Sequence, residues 1–376
     1  MSDIFTSKSI LVKAVASVLN GREAELPDEA VDSEAVYKLA AKNNVGTIVY
    51  FADRNKPFLD PAFAERLERS YKASVVREVN QQTQLELIKK DFSENGIEYM
   101  LLKGPHLKKL YPVPEMRFMV DMDILVHARD VEKAKELILS YGLEFKMNNG
   151  KDLVFIKEPF LTIELHNTLF VEEHESYDYF LGVWDRAEKV DGFEYKMSDN
   201  DLYVYTVAHL REHYVSAEAC FRPVMDIFLL NKKYGDRLDF DYINTELSKL
   251  GLLKFAENIK RLGECMFDGA ETDDTMTLME NYVVFGPPVK NAALAAKADK
   301  SKPARILSSA FPGLSHMRKL FPVLEKYPFL IVVFWFVRIF KNIFKKETRE
   351  KLDAIQETGE KEYNVLHDIY RKSGIE

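Results

Sequence analysis

Cysteine is nearly absent. Two occur in 376 residues, Cys220 and Cys265, and neither stands in a metal-ligand spacing. Two thiols make no disulfide framework, so a reducing cytoplasm is the expected compartment. Basic excess is also missing: 52 Lys and Arg stand against 60 Asp and Glu, a net charge of −8. That balance disfavours a protein that coats nucleic acid by displacing counterions. With 16 Gly and 14 Pro, collagen-like and low-complexity chains are excluded. The start, MSDIFTSKSILVKAV, lacks a basic segment followed by a sustained apolar core, so no signal peptide is expected. The uninterrupted apolar stretch Pro328 to Val337 is half of the roughly 20 residues a spanning helix needs. What is present, 47% hydrophobic and 30% charged residues, describes an ordinary globular protein of two or three structural units.

Texture divides the chain into four regions. Residues 1–96 read as helical, with apolar residues at three- and four-residue spacing, Pro61 in a first turn and Asn95-Gly96 as a stop. Residues 97–197 carry five short β-type runs, IEYMLL, FMVDMDILV, LEFKM, DLVFI and FLTIELH. Helical pieces PHLKKLY and RDVEKAKELILSYG lie between them, which predicts a mixed α/β sheet. Residues 198–270 read as a helical domain opened by a capping-box pattern, Ser198 with Asp201. Residues 271–376 read as a loose connection followed by apolar C-terminal helices.

Alternation within MVDMDILV predicts Val120, Met122, Ile124 and Val126 on a core face, with Asp121 and Asp123 side by side on the other. Paired carboxylates repel, and a hard divalent cation such as Mg²⁺ supplies the countercharge. In LTIELH the apolar set is Leu161, Ile163 and Leu165, which leaves Glu164 and His166 on the opposite face. Three acids on neighbouring strands suit two metals that clamp the attacking and leaving oxygens of a phosphoryl displacement. Upstream, YMLLKG predicts a strand ending in Lys103-Gly104 before a helix at Pro105, where backbone can approach a phosphate. Lys103 is a candidate phosphate cation; Arg117 is another, or a partner for Asp121. Lys108 and Lys109 read as solvated helix-face charges. A DxD pair alone also fits an edge strand with a wet outer face.

Together, LLKGPHLKKLYP, MRFMVDMDILV and IELH resemble the nucleotidyltransferase-fold superfamily to which DNA polymerase beta belongs. More narrowly, the set resembles the bacterial uncharacterised nucleotidyltransferase family. LYVYTVAHLREHYV and FRPVMDIF are similar to that family's helical region, and FPVLEKYPFL with FWFVRIF to its C-terminus. The resemblance covers about Gly96 to Gly251. It implies an α+β fold, a polymerase-beta-like mixed sheet with helices flanked by N-terminal and C-terminal helical regions. It implies transfer of a nucleoside monophosphate from an NTP, ATP included, to an acceptor hydroxyl with release of pyrophosphate. Mg²⁺ or Mn²⁺ would be the cofactor. Asp121 and Asp123 would ligate both metals; Glu164 would ligate the catalytic one and help deprotonate the acceptor. Lys103, Gly104 and Arg117 would meet the nucleotide. Pro105 departs from the superfamily's usual Ser or Gly, so the triphosphate grip must differ.

Two other readings compete. His209-Leu210-Arg211-Glu212-His213 fits the H-x-x-E-H pattern of inverted zinc metalloproteases, in which two imidazoles share a helix face. The same helix could instead line a nucleotide cleft with His209 or Arg211, alongside His166. A fold of this type can also persist as a non-catalytic nucleotide-binding module. The segment Tyr327–Phe344, apolar and then basic at Arg338, Lys341, Lys345 and Lys346, could dock on a membrane surface or a protein. The expected location is therefore cytoplasmic or membrane-peripheral. The acceptor is not legible.

Overall fold

The computed structural model describes residues 2–26, 31–159, 161–216, 218, 220–288, 311–321, 323–342 and 360–375. The chain falls into two compact units, one of residues 1–214, 219–285 and 373–375, the other of 215–218, 286–372 and 376.

The first unit begins with four helices, α1 (Ser2–Leu19), α2 (Ser33–Lys42), α3 (Gly46–Asn55) and α4 (Pro61–Glu94). Asp32 starts α2 by accepting from the Ala35 amide at 2.9 Å. Asn44, at φ 56°, separates α2 from α3. Pro61 opens α4 and Gly96, at φ 68°, closes it, as the sequence predicts. At 34 residues this helix is about 50 Å long.

Seven strands follow: β1 (Tyr99–Leu101), β2 (Asp121–Val126), β3 (Glu144–Asn148), β4 (Asp152–Lys157), β5 (Leu161–His166), β6 (Glu188–Asp191) and β7 (Glu194–Lys196). Their order is β3-β4-β5-β2-β1-β7-β6. The β2–β5 and β1–β7 pairs are parallel and the others antiparallel, which makes the expected mixed sheet. Met122, Ile124 and Val126 of β2 and Ile163 and Leu165 of β5 share one buried cluster. Leu85, Ile88 and Phe92 of α4 cover it, together with Ala134 and Ile138 of α6 (Val131–Ser140). Each fully buried Leu, Ile, Val, Phe or Met contributes about 1.5–3 kcal/mol, so this packing fixes the pleat of both strands.

Val120 is a correction: it is 53% exposed, because β2 begins one residue later. Strands β6 and β7 are an addition. Their residues are exposed or half-buried, so no alternating apolar signal marks them, and β7 is recruited by its pairing with β1.

The short helix α7 (Tyr177–Leu181) precedes β6, and beyond the sheet lie α8 (Asp199–Val215), α9 (Phe221–Tyr234), α10 (Phe240–Lys249), α11 (Leu253–Phe267) and α12 (Asp274–Phe285). The Ser198 hydroxyl accepts from the Asp201 amide at 3.0 Å and donates to the Asp201 carboxylate at 2.7 Å. The cap is therefore closed through the hydroxyl rather than reaching back to a backbone amide. Helix α12 stands where the sequence suggests a loose connection, and it buries Met276, Met279 and Tyr282. Residues 289–310, the rest of that connection, lie outside the described residues.

In the second unit, residues Ile331–Asn342 form a helix, and the Trp335 indole donates to the Pro312 carbonyl at 2.8 Å. Among the described residues no helix is long and apolar enough to cross a membrane. The end of the apolar segment, residues 343–344, lies outside them.

Candidate functional site

The parallel register sets Asp123 directly opposite Glu164, on the sheet face turned away from the α4 core. A cavity of about 250 Å³ opens there. Asp121, Asp123 and Glu164 line it from the strands, Lys103 and Gly104 from the turn between β1 and the short helix α5 (Gly104–Leu107), and His209 from α8. The structure thus gathers most of the predicted set at one place.

The turn is tight. Lys103 holds a left-handed φ of 28°, which is costly for a residue with a Cβ. A Cβ at Gly104 would overlap the Met119 Sδ, so any larger residue there must displace the buried Met119 side chain. Helix α5 (Gly104–Leu107) is a single turn followed by a 3-10 turn, too short to supply the dipole anticipated for a phosphate.

Lys103 points its ammonium inward, 3.4 Å from Asp123 Oδ2 and 2.8 Å from His209 Nε2. On the other side His166 Nε2 lies 3.1 Å from Asp123 Oδ1 and 3.6 Å from Glu164 Oε2. Burial alone would raise the Asp123 carboxyl, but Lys103 and His166 outweigh it and hold the group well below the carboxylate range. Burial, then the charges of Asp123 and Glu164, push Asp121 up to about 6. His166 is 3% exposed; burial opposes its charge, yet its bonds to Asp123 and Glu164 bring it to about 9. Burial, with Lys103 and His213 adjacent, keeps His209 neutral, so its Nε2 can accept from the lysine.

The segment before β2 is clamped from two helices. Arg117 forms a two-bond pair with Asp226 of α9, both contacts at 2.8 Å, and the Tyr111 hydroxyl donates to Asp226 at 2.8 Å. The next carbonyl, of Phe118, accepts from Arg222 at 2.7 Å, and that of Met119 from Gln81 of α4 at 3.1 Å. Arg117 therefore pairs with Asp226 rather than with Asp121, though it still edges the cavity. Lys108 is a second correction: it is buried, bonded to Glu78 and 3.2 Å from Gln81, not solvated. Lys109 is exposed as expected.

Arg211 does not join the cavity lining and pairs with Glu175 at 2.9 Å. His209 and His213 do share a face, with Nε2 atoms 3.3 Å apart, but an ammonium is bonded to His209 where a zinc site needs a ligand. Glu212 pairs with Lys151 at 3.5 Å. Among the described residues, the group whose ligating atoms all lie within 4.8 Å of one another is Asp123, Glu164 and His166, so the protease pattern gains no third ligand. Asp121 is not in that group, although it lines the same cavity.

Lys151, Asp152 and Arg222, which also line the cavity, escaped sequence reading. Lys151 and Asp152 stand at the β3–β4 turn, which no local pattern marks, and Arg222 lies at the start of α9 within FRPVMDIF, a segment that gave it no role of its own. Arg222 combines a bonded terminal nitrogen with a buried Nε that has no hydrogen-bond partner. A larger cavity, about 400 Å³, is lined by α1 and α11 residues such as Lys13 and Cys265, and no grouped metal ligands are found there among the described residues.

The donor set suits a divalent cation: Asp123 and Glu164 line the cavity, the buried His166 imidazole contacts both although it is not itself in the lining, and Lys103 stands beside Asp123. A search of curated proteins and one of solved structures returned no match. A family model described as uncharacterised nucleotidyltransferase matches residues 29–268, more than half of the chain. The match takes in the strands, the turn and the helices that build the cavity, and the chain belongs to the uncharacterised nucleotidyltransferase family, as an enzyme of nucleotidyltransferase type.

Proposed function

We propose that this enzyme moves a nucleoside monophosphate from an NTP to an acceptor hydroxyl at the cavity of Asp121, Asp123 and Glu164. The single observation that carries the reading is the β2–β5 register, which sets Asp123 beside Glu164 over a recess. In the reaction the acceptor oxygen bonds the α-phosphorus, the bond to the bridging oxygen breaks, and pyrophosphate leaves with that electron pair. A divalent cation, Mg²⁺ or Mn²⁺, held by Asp123 and Glu164 would neutralise charge on the transferring group. Glu164 is the candidate to take the acceptor proton at a carboxylate oxygen. Lys103, Arg222 and Lys151 supply positive charge in the cavity lining. They provide a triphosphate grip in place of the glycine-rich turn that Pro105 disrupts. His209, held neutral, orients the Lys103 ammonium. The first test is incubation with each of the four NTPs and Mn²⁺ plus a metabolite extract, followed by mass analysis. A new mass increment of one nucleoside monophosphate is expected; its absence with all four would count against transfer and favour a binding module.

A second property has its own observation. In the second unit Phe329, Val332, Val333 and Phe336 recur at three- and four-residue spacing and are 75%, 51%, 55% and 51% exposed. From Lys326 to Lys346 the sequence carries five basic residues and no acid. The pairing of apolar stripe and positive charge supports peripheral attachment to an anionic membrane surface. Co-sedimentation with phosphatidylserine vesicles, lost in a Phe329→Ser/Phe336→Ser variant and weak with neutral lipid, is the expected result. Equal binding by the variant would end this reading.

A further inference from the structure

We infer that His166 is a nitrogen ligand of the catalytic cation, so that the site takes Mn²⁺ in preference to Mg²⁺. The inference rests on the metal-dependent reading above and deepens it. Sequence reasoning assigns the metal to three carboxylates, yet the tight cluster is Asp123, Glu164 and His166. Donors at about 2.1 Å from one ion in octahedral geometry lie about 3.0 Å apart when adjacent. His166 Nε2 is 3.1 Å from Asp123 Oδ1 and 3.6 Å from Glu164 Oε2, and the ligating atoms of the three residues all lie within 4.8 Å of one another, so side-chain adjustment can bring them to one ion. The imidazole is held for this by its place on β5, two residues beyond Glu164, where register pairs it with Asp152 of β4. Asp123 and Glu164 face its Nε2, Asp152 pairs with it in register, and its buried Nδ1 has no hydrogen-bond partner among the described residues. Imidazole is a poor ligand for Mg²⁺, which demands oxygen, whereas first-row divalent ions accept nitrogen and oxygen together.

The same contacts would exist if His166 merely donated a proton to Asp123, and the two arrangements differ in one observable. Mn²⁺ bound to the full chain should show ¹⁴N modulation in its electron spin echo, and the modulation should change to the ¹⁵N pattern when histidine is ¹⁵N-labelled. His166→Gln should abolish it and weaken Mn²⁺ binding about tenfold or more, while changing Mg²⁺ binding less. His209→Gln should retain it, which keeps the assignment testable even if the His166 variant fails to fold. Mn²⁺ bound without nitrogen modulation would overturn the inference and leave the metal-dependent reading standing. No Mn²⁺ binding at all would overturn both.

Discussion

Lys103 and Gly104 show how a backbone constraint becomes a chemical one. The left-handed turn at Lys103 brings its ammonium to Asp123, and the missing Cβ at Gly104 lets the turn rest on Met119. Gly104→Ala should overpack this contact and cost about 1–3 kcal/mol in urea unfolding, with activity reduced further because Met119 precedes the acidic strand. A smaller loss than about 0.5 kcal/mol would mean that Met119 simply swings away. His106, on the same turn, gives a pH signature. Burial, then Lys109, hold its ring below the ordinary value of about 6.5, and its Nε2 meets the Leu101 carbonyl at 3.0 Å. A depressed folded value means that the unfolded chain takes up the proton first. The His106 contribution is therefore intact above about pH 6.5 and is lost as pH falls below it. His106→Asn should flatten stability against pH over that window. At Glu164, replacement by Gln should leave the strand pairing intact yet slow transfer by about 10²–10⁴, measured as a loss in kcat. Burial of Lys108 could not be read from its neighbours in the sequence. Its buried partners Glu78 and Gln81 lie a helix away, and nothing beside Lys108 in the sequence announces them.

Among elements, legibility followed physical cause. Strands β2 and β5 could be read because one face packs on α4 and the other holds charge, so a period of two is written into their residues. Strands β6 and β7 could not, since an exposed hairpin needs only backbone bonds to β1 and places no apolar demand on its side chains. The Arg117–Asp226 pair beside the site was hidden for another reason. Arg117 and Asp226 stand 109 residues apart, and only the packing of α9 against the segment before β2 brings them together. That pair is buried on both sides, so its loss leaves a charge stranded. Asp226→Asn or Arg117→Leu should each destabilise the protein by about 3–5 kcal/mol, and the double variant by less than the sum. Strict additivity in thermal unfolding would show that the pair does not clamp the segment. Glu164 was legible as an acid on a strand, but its facing partner followed only from the register, which sequence alternation alone cannot supply.

In the whole molecule, family membership and one side-chain constellation coincide. The family match spans residues 29–268 and the cavity lies wholly among them. A cation that binds the folded chain alone stabilises it by about 2.7 kcal/mol at one hundred times its dissociation constant, so Mn²⁺ should raise the melting temperature of the wild type. The most direct measurement is transfer of label from α-³²P NTP, scored with pyrophosphate release, for the wild type and Asp123→Asn side by side. The expected result is label in an acceptor with matching pyrophosphate for the wild type, and a fall of about 10²-fold or more for the folded variant. Equal turnover by the two proteins would contradict it.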